Sequence, residues 1–206
     1  MKEFNKKIKK NRGMTYVELI VVLSIFGIMS SVVLFNYRDF NSQMEIKSLA
    51  NDIALKIVQV QKDAMSGKLA PIKQQQTLSE MGIIDWKPSY GLYFNTEKSS
   101  KSFVYFADLD GNFIYNKDTS GYNDVECIDE IKINSKYSIG KLTVYCPIGE
   151  RIVNNLAITF TRPDSVATIV SYPDIGCLIS SAVINVTDGS INNNITVYSS
   201  GRIQIK

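Results

Sequence analysis

Residues 14–37, MTYVELIVVLSIFGIMSSVVLFNY, decide how this chain is read. No charge occurs between Glu18 and Arg38. As a helix, the 19 intervening residues rise about 28 Å at ~1.5 Å each, close to the ~30 Å of a bilayer hydrocarbon core. The stretch is therefore long enough to span a membrane. The preceding residues, MKEFNKKIKKNRG (1–13), hold Lys2, Lys6, Lys7, Lys9, Lys10 and Arg12 against one Glu. Positive charge on that side keeps the N-terminus cytoplasmic and places everything after Arg38 outside. No A-x-A-like cleavage site follows the apolar run, so the helix is expected to be retained.

The rest of the composition removes several function classes. The chain has 206 residues, enough for one domain and an appendage. It has no histidine, which excludes histidine-based triads, HExxH zinc sites and histidine general bases. Three cysteines cannot build a four-cysteine zinc site, and no GxxxxGK(S/T) or GxGxxG loop occurs. No cofactor, metal or catalytic constellation is read, and an enzyme is not expected. The net charge of +3 belongs to the leader: after residue 13, 17 Lys/Arg face 19 Asp/Glu, a net −2. Whole-chain basicity is therefore no argument for nucleic-acid binding.

Glu18 is a carboxylate at the edge of an apolar helix, where it costs free energy unless something compensates it. Taken alone it reads as an interfacial residue that reaches back to water. Its neighbourhood, Arg12-Gly13-Met14-Thr15-Tyr16-Val17-Glu18-Leu19-Ile20-Val21-Val22, reverses that reading. It resembles the class III signal of type IV pilins and type II secretion pseudopilins. The resemblance implies cleavage between Gly13 and Met14 by prepilin peptidase, methylation of Met14 as the new N-terminus, and Glu18 as the retained acid of the assembly helix. In a filament, the Met14 α-amine could meet Glu18 of a neighbouring subunit, and pairing would limit the cost of burying either charge. This chain departs from many major pilins in having no proline partway along the helix; Gly27, Ser30 and Ser31 are its soft points.

Beyond Arg38, Ile46, Leu49, Ile53, Ile57, Val60 and Ala64 recur at helical spacing. Gly67 is a candidate C-cap and Pro71 a stop. The spacing predicts one helix from about Met14 to Ser66, its first half in lipid or filament core and its second half laid on a globular domain. Residues 67–89 read as a connecting segment. From Tyr90 onward, YGLYFN, SFVYFAD, NFIYN, VECIDEIKIN, KLTVYC, LAITFT, VATIV, SAVINVT, ITVYSS and RIQIK read as strands of an antiparallel β domain. The expected organisation is a leader at 1–13, a transmembrane or filament-core helix at 14–37, its amphipathic continuation at 38–66, the connection, and an exported β domain at 90–206. The class is α+β and pilin-like.

The block SYGLYFN…SFVYFADLDGNFIYN and the ending ITVYSSGRIQIK are similar to the exported domain of minor pilins and pseudopilins of the FimT/GspH type. That resemblance implies a structural subunit in the bacterial cytoplasmic membrane, assembled into a pilus or pseudopilus. Its partners would be the peptidase and N-methyltransferase, other subunits, and lipid before assembly. The FimT-like branch also implies DNA capture as an alternative, with Arg202 and Lys206 as contacts. Those two cations, with Arg151 and Arg162, are few for strong counterion release and read as solvated strand ends.

Two local features complete the reading. Asp108-Leu109-Asp110-Gly111-Asn112 lacks the glycine and glutamate positions of an EF-hand loop and is predicted to be an Asp-Gly hairpin turn between FVYFAD and NFIY. Cys127, Cys146 and Cys177 allow three pairings in an oxidising space. Neighbouring antiparallel strands around the first two favour Cys127 with Cys146, and three reduced thiols are the competing reading.

Overall fold

The computed structural model describes residues 13–83, 85–115 and 125–206, and the chain divides after Ser42 into two units. The expected leader residues 1–12 lie outside the described ones. One helix, α1 (Tyr16–Met65), belongs to both units and is unbroken through Gly27, Ser30 and Ser31. In the first unit it buries none of Tyr16–Leu34, a stretch long and apolar enough to cross a membrane.

In the second unit the same helix has a packed stripe. Ile46, Ala50, Ile53, Ile57, Val60 and Ala64 are buried, each three or four residues from the next. The hydrophobic gain is ~1.5–3 kcal/mol for each large side chain buried. The helix ends where sequence places its cap: Gly67 is left-handed at φ 67°, its N–H donates to Ala64 O, and Lys68 N–H donates to Asp63 O. These two bonds make a Schellman motif, which only a residue tolerant of positive φ closes cheaply.

A short helix, α2 (Ile72–Glu80), lies in the segment expected to be a plain connection. Pro71, predicted as a stop, falls after α1 has already ended at Met65 and stands as the N-cap residue of α2. The glutamines that follow are good helix formers. Gln74 and Leu78, one turn apart, are buried, and Gln74 Nε2 donates to Val125 O and Cys127 O, both at 3.0 Å.

Ten strands follow among the described residues: β1 (Ser89–Asn95), β2 (Ser99–Ala107), β3 (Cys127–Lys132), β4 (Ser138–Cys146), β5 (Gly149–Val153), β6 (Asn155–Thr161), β7 (Ala167–Tyr172), β8 (Ser181–Thr187), β9 (Asn192–Tyr198) and β10 (Ile203–Ile205). They form two antiparallel sheets, ordered β3-β2-β1-β6-β7 and β10-β9-β8-β4-β5. The class is thus α+β, as the sequence implies. Period-2 alternation sends Tyr90, Leu92 and Phe94 of β1, and Leu156, Ile158 and Phe160 of β6, into a core shared with the α1 stripe and with Leu142, Val144, Ile184, Ile195 and Val197 of the second sheet. A smaller cluster of Phe106, Tyr115 and Ala157 forms a second apolar centre beside Tyr93, Val104 and Cys127.

Polar anchors fix α1 on this core. Tyr105 Oη donates to Asp63 Oδ2 at 2.8 Å, and Lys68 Nζ sits 2.6 Å from the same oxygen. Burial and the adjoining Asp63 carboxylate push the Tyr105 hydroxyl far above the usual tyrosine range, so it remains a donor. Gln61 Nε2 donates to Ser165 O at 3.0 Å and Gly201 O at 3.3 Å.

The structure corrects three expectations. Residues 112–115 do not form a strand: the NFIY run folds back so that Tyr115 packs on Tyr93 and Phe106. β5, with Glu150 and Arg151, is a strand that the apolar patterns do not mark. The disulfide joins Cys146 to Cys177, with Cα atoms 6.1 Å apart, and not to Cys127. The physical reason is topological: β3 and β4 follow one another in sequence but lie in different sheets, so Cys127 and Cys146 are not cross-strand neighbours. Cys127 stays outside the bond, half-buried.

Candidate functional site

The first candidate lies at the start of α1. Gly13 has open space where a Cβ would stand, so nothing in its surroundings demands glycine. Met14 is 63 % exposed. Thr15 precedes the first helical residue, and its Oγ1 accepts from Glu18 N–H at 3.3 Å, while its carbonyl accepts from Leu19 N–H at 3.1 Å. Thr15 and Glu18 therefore occupy the first and last positions of a capping-box sequence, T-x-x-E. The S/T-x-x-E spacing was available in the sequence as a sign of the helix start. A carboxylate in this first turn also lies at the positive end of the helix dipole, where it is favoured. What this constellation offers chemically is an accessible chain segment at Gly13-Met14, followed within one turn by a lone acid in an otherwise apolar surface.

The second candidate is the loop after β2. Asp108 is fully buried, and its carboxylate accepts from Gly111 N–H at 2.8 Å, Phe113 N–H at 3.2 Å and Ser89 Oγ at 3.3 Å. Asp110 accepts from the backbone and side chain of Asn112. Glu126, also buried, accepts from Leu109 N–H at 3.2 Å. Oxygens of Asp108, Asp110 and Glu126 lie within 4.8 Å of one another. Burial pushes the Asp108 carboxyl above its ordinary range; the bonds from Gly111 and Phe113 oppose that, and Asp110 beside it adds to it. The loop is thus held by side-chain-to-backbone bonds and is not the hairpin turn read from Asp-Gly. Of the described residues, these three carboxylates are the set that could hold a metal ion. Three single oxygens supply half or fewer of the six to eight that calcium takes. Glu126 escaped the sequence reading because loop motifs count local spacing, and it arrives from the far side of residues 109–125.

Arg202 and Lys206, the cations expected as DNA contacts, stand at the two ends of β10, and Arg151 and Arg162 are not gathered with them. Arg202 lies over the Tyr198 ring at 4.0 Å, and the Lys206 backbone pairs with Asn194. Both flank β10, at one edge of the second sheet, while Arg151 is on β5 at the other. Four strand spacings, roughly 19 Å, separate those edges. Arg162 follows β6 in the first sheet and approaches Gly67. A crevice of about 110 Å³ beside Tyr93, Ser102, Tyr115 and Glu130 has a mixed lining, and its Ser102 Oγ already donates to Glu130 Oε1 at 2.7 Å.

Comparison with known protein families, curated proteins and solved structures finds no match to this chain.

Proposed function

We propose that this chain is a prepilin-like structural subunit, a minor pilin or pseudopilin, held in the cytoplasmic membrane by α1 and cut between Gly13 and Met14 before assembly into a filament. The observation that carries the reading is the first unit itself: a 19-residue apolar stretch with no buried residue, beginning just after Arg12-Gly13 and bearing one carboxylate, Glu18, in its first turn. Such a surface needs lipid or other apolar helices around it. Gly13 is the residue at which the resemblance to the class III signal places cleavage, and its surroundings leave space for a side chain. Cleavage would put the α-amine of Met14 one residue before the Thr15 cap. Packed among neighbouring helices, that cation and Glu18 could each lose water only by pairing, and slipped packing would strand one of them.

Mass spectrometry and N-terminal sequencing of the native protein test this. The expected start is N-methylated Met14. A chain that retains residues 1–13 in a host with an active prepilin peptidase overturns it.

A further inference from the structure

The first sheet ends at β7, ATIVSY. Ala167 N–H donates to Ser199 O at 2.8 Å and so points away from β6. By the two-residue period of a strand, the N–H and C=O groups of Ile169 and Ser171 face the same way. Among the described residues, these groups have no backbone partner on that side. Ile169 and Ser171 are nevertheless buried, and Ser171 Oγ has no hydrogen-bond partner among the described residues. Polar groups kept from water without a bond are costly. Whatever covers this edge must therefore be held there by something other than pairing with it.

The cover is the chain's own segment after β7, whose Cys177, Leu178 and Ile179 line one groove with Ile169 and Ser171. Both of its ends are fixed: Asn155 Nδ2 donates to Tyr172 O at 3.1 Å, and Ser180 N–H donates to Tyr145 O at 2.8 Å. Between them, among the described residues, the only hydrogen bond is internal, from Gly176 N–H to Asp174 Oδ1 at 3.0 Å. Exposure alternates along the segment, with Ile175, Cys177 and Ile179 half-buried and Gly176 and Leu178 exposed. The two isoleucines pack against the core. Cys177, between them, is bonded to Cys146 of β4, in the other sheet. The disulfide is thus the directed tie in the middle of a cover that makes no backbone bond to the edge beneath it.

We propose that residues 173–179 are a redox-latched strap, closed over the β7 edge while Cys146 and Cys177 are joined and released when they are reduced. The step is thiol–disulfide exchange with a dithiol. The dithiol gives up two protons and two electrons as its sulfurs join, and the Cys146–Cys177 bond takes them up and breaks to two thiols. With the bond open, the two half-buried isoleucines alone hold the strap, against the gain from rehydrating the Ile169 and Ser171 groups. Unpaired edge groups are what an added strand bonds to, so reduction turns a capped sheet edge into an open one. The inference does not depend on the filament reading, and either can fail alone.

Hydroxyl-radical footprinting of the full chain in detergent micelles tests it, with the parent compared to Cys146→Ser/Cys177→Ser. Oxidation of Ile175 and Ile179 should rise in the variant toward that of Leu178, which is 89 % exposed with the strap closed. Leu92 and Ile158, buried in β1 and β6, should stay protected. The parent should change in the same way after reduction with dithiothreitol and removal of the dithiol, and oxidised glutathione should reverse the change. Unchanged labelling of Ile175 and Ile179 in the reduced parent overturns the proposal, because packing alone then closes the strap. Gains at Leu92 and Ile158 as large as those at the isoleucines, again in the reduced parent, overturn it as well, because the bond then supports the whole sheet and latches no separate strap.

Discussion

At Gly201 the backbone is left-handed, with φ 81°, and a Cβ there would lie 2.0 Å from Ser165 O. The same carbonyl accepts from Gln61, so the turn between β9 and β10 is pressed against both α1 and the segment before β7. Gly201→Ala should therefore cost roughly 3 kcal/mol, strain and overlap together. Gly189 has φ 96° but open space around it, so Gly189→Ala should cost only about 1 kcal/mol. Urea midpoints of the two variants check the difference. Asp108 gives a second prediction, of sign. Its folded carboxyl holds the proton more tightly than the unfolded one, so ionising it works against the fold, and that contribution declines as pH rises through and above the ordinary aspartate range. Asp108→Asn has no charge and keeps one of the two acceptor oxygens that Gly111 and Phe113 use, so it loses one of those bonds at every pH. Its stability relative to the parent should improve from pH 4 to pH 7, as read by thermal unfolding; an unchanged difference would remove burial as the governing term. The sequence exposed Asp108 but not its situation, since Ser89 bonds to it from β1 and the Glu126 carboxylate comes close to it while accepting from Leu109 N–H, neither of which local spacing shows.

Among elements, what could be read depended on whether one periodicity ruled a segment. The stripe from Ile46 to Ala64 is unambiguous: Ile46, Ile53, Ile57, Val60 and Ala64 are buried as the spacing requires, while Leu49 is half-buried at its margin and Ala50 takes the buried position. β6 and β8 alternate or run apolar between turn residues, and both were legible. β5 was not, because GERIV is an edge strand whose first four residues stay exposed and show no apolar face. NFIY has strand composition, yet Asp108 captures the N–H groups of Gly111 and Phe113 and turns the chain aside. The cysteine pairing failed for a different reason: sequence order suggested which strands were adjacent, and the chain changes sheet between β3 and β4. The bond that does form closes a separation of 31 residues, for which loop-closure entropy gives about 3–4 kcal/mol. Replacing Cys146 and Cys177 together with alanine should lower stability by about that amount and should increase proteolysis within 173–180. A double variant with the parent's midpoint would show that packing already holds this segment.

For the molecule as a whole, the choice is between Glu18 as a local helix cap and Glu18 as the partner of another chain's amine. Glu18→Gln separates them, because glutamine serves equally at the last position of a capping box but carries no charge. On the proposed prepilin reading, membrane insertion and cleavage should persist, since Gly13 and the basic leader are unchanged. Incorporation into filaments should fall sharply, because breaking a buried pair typically costs ~3–5 kcal/mol. Normal incorporation beside the parent subunit would leave Glu18 as a cap and nothing more.

The Gln61 bridge to Ser165 and Gly201 spans 104 and 140 residues of chain, and this has a consequence in time. The helix leaves the ribosome before the strands, and its apolar stripe between Ile46 and Ala64 has no cover until they arrive. Contacts this distant form slowly, and an uncovered stripe is prone to aggregate meanwhile. The last turn of the chain must be synthesised before its first helix is fully seated.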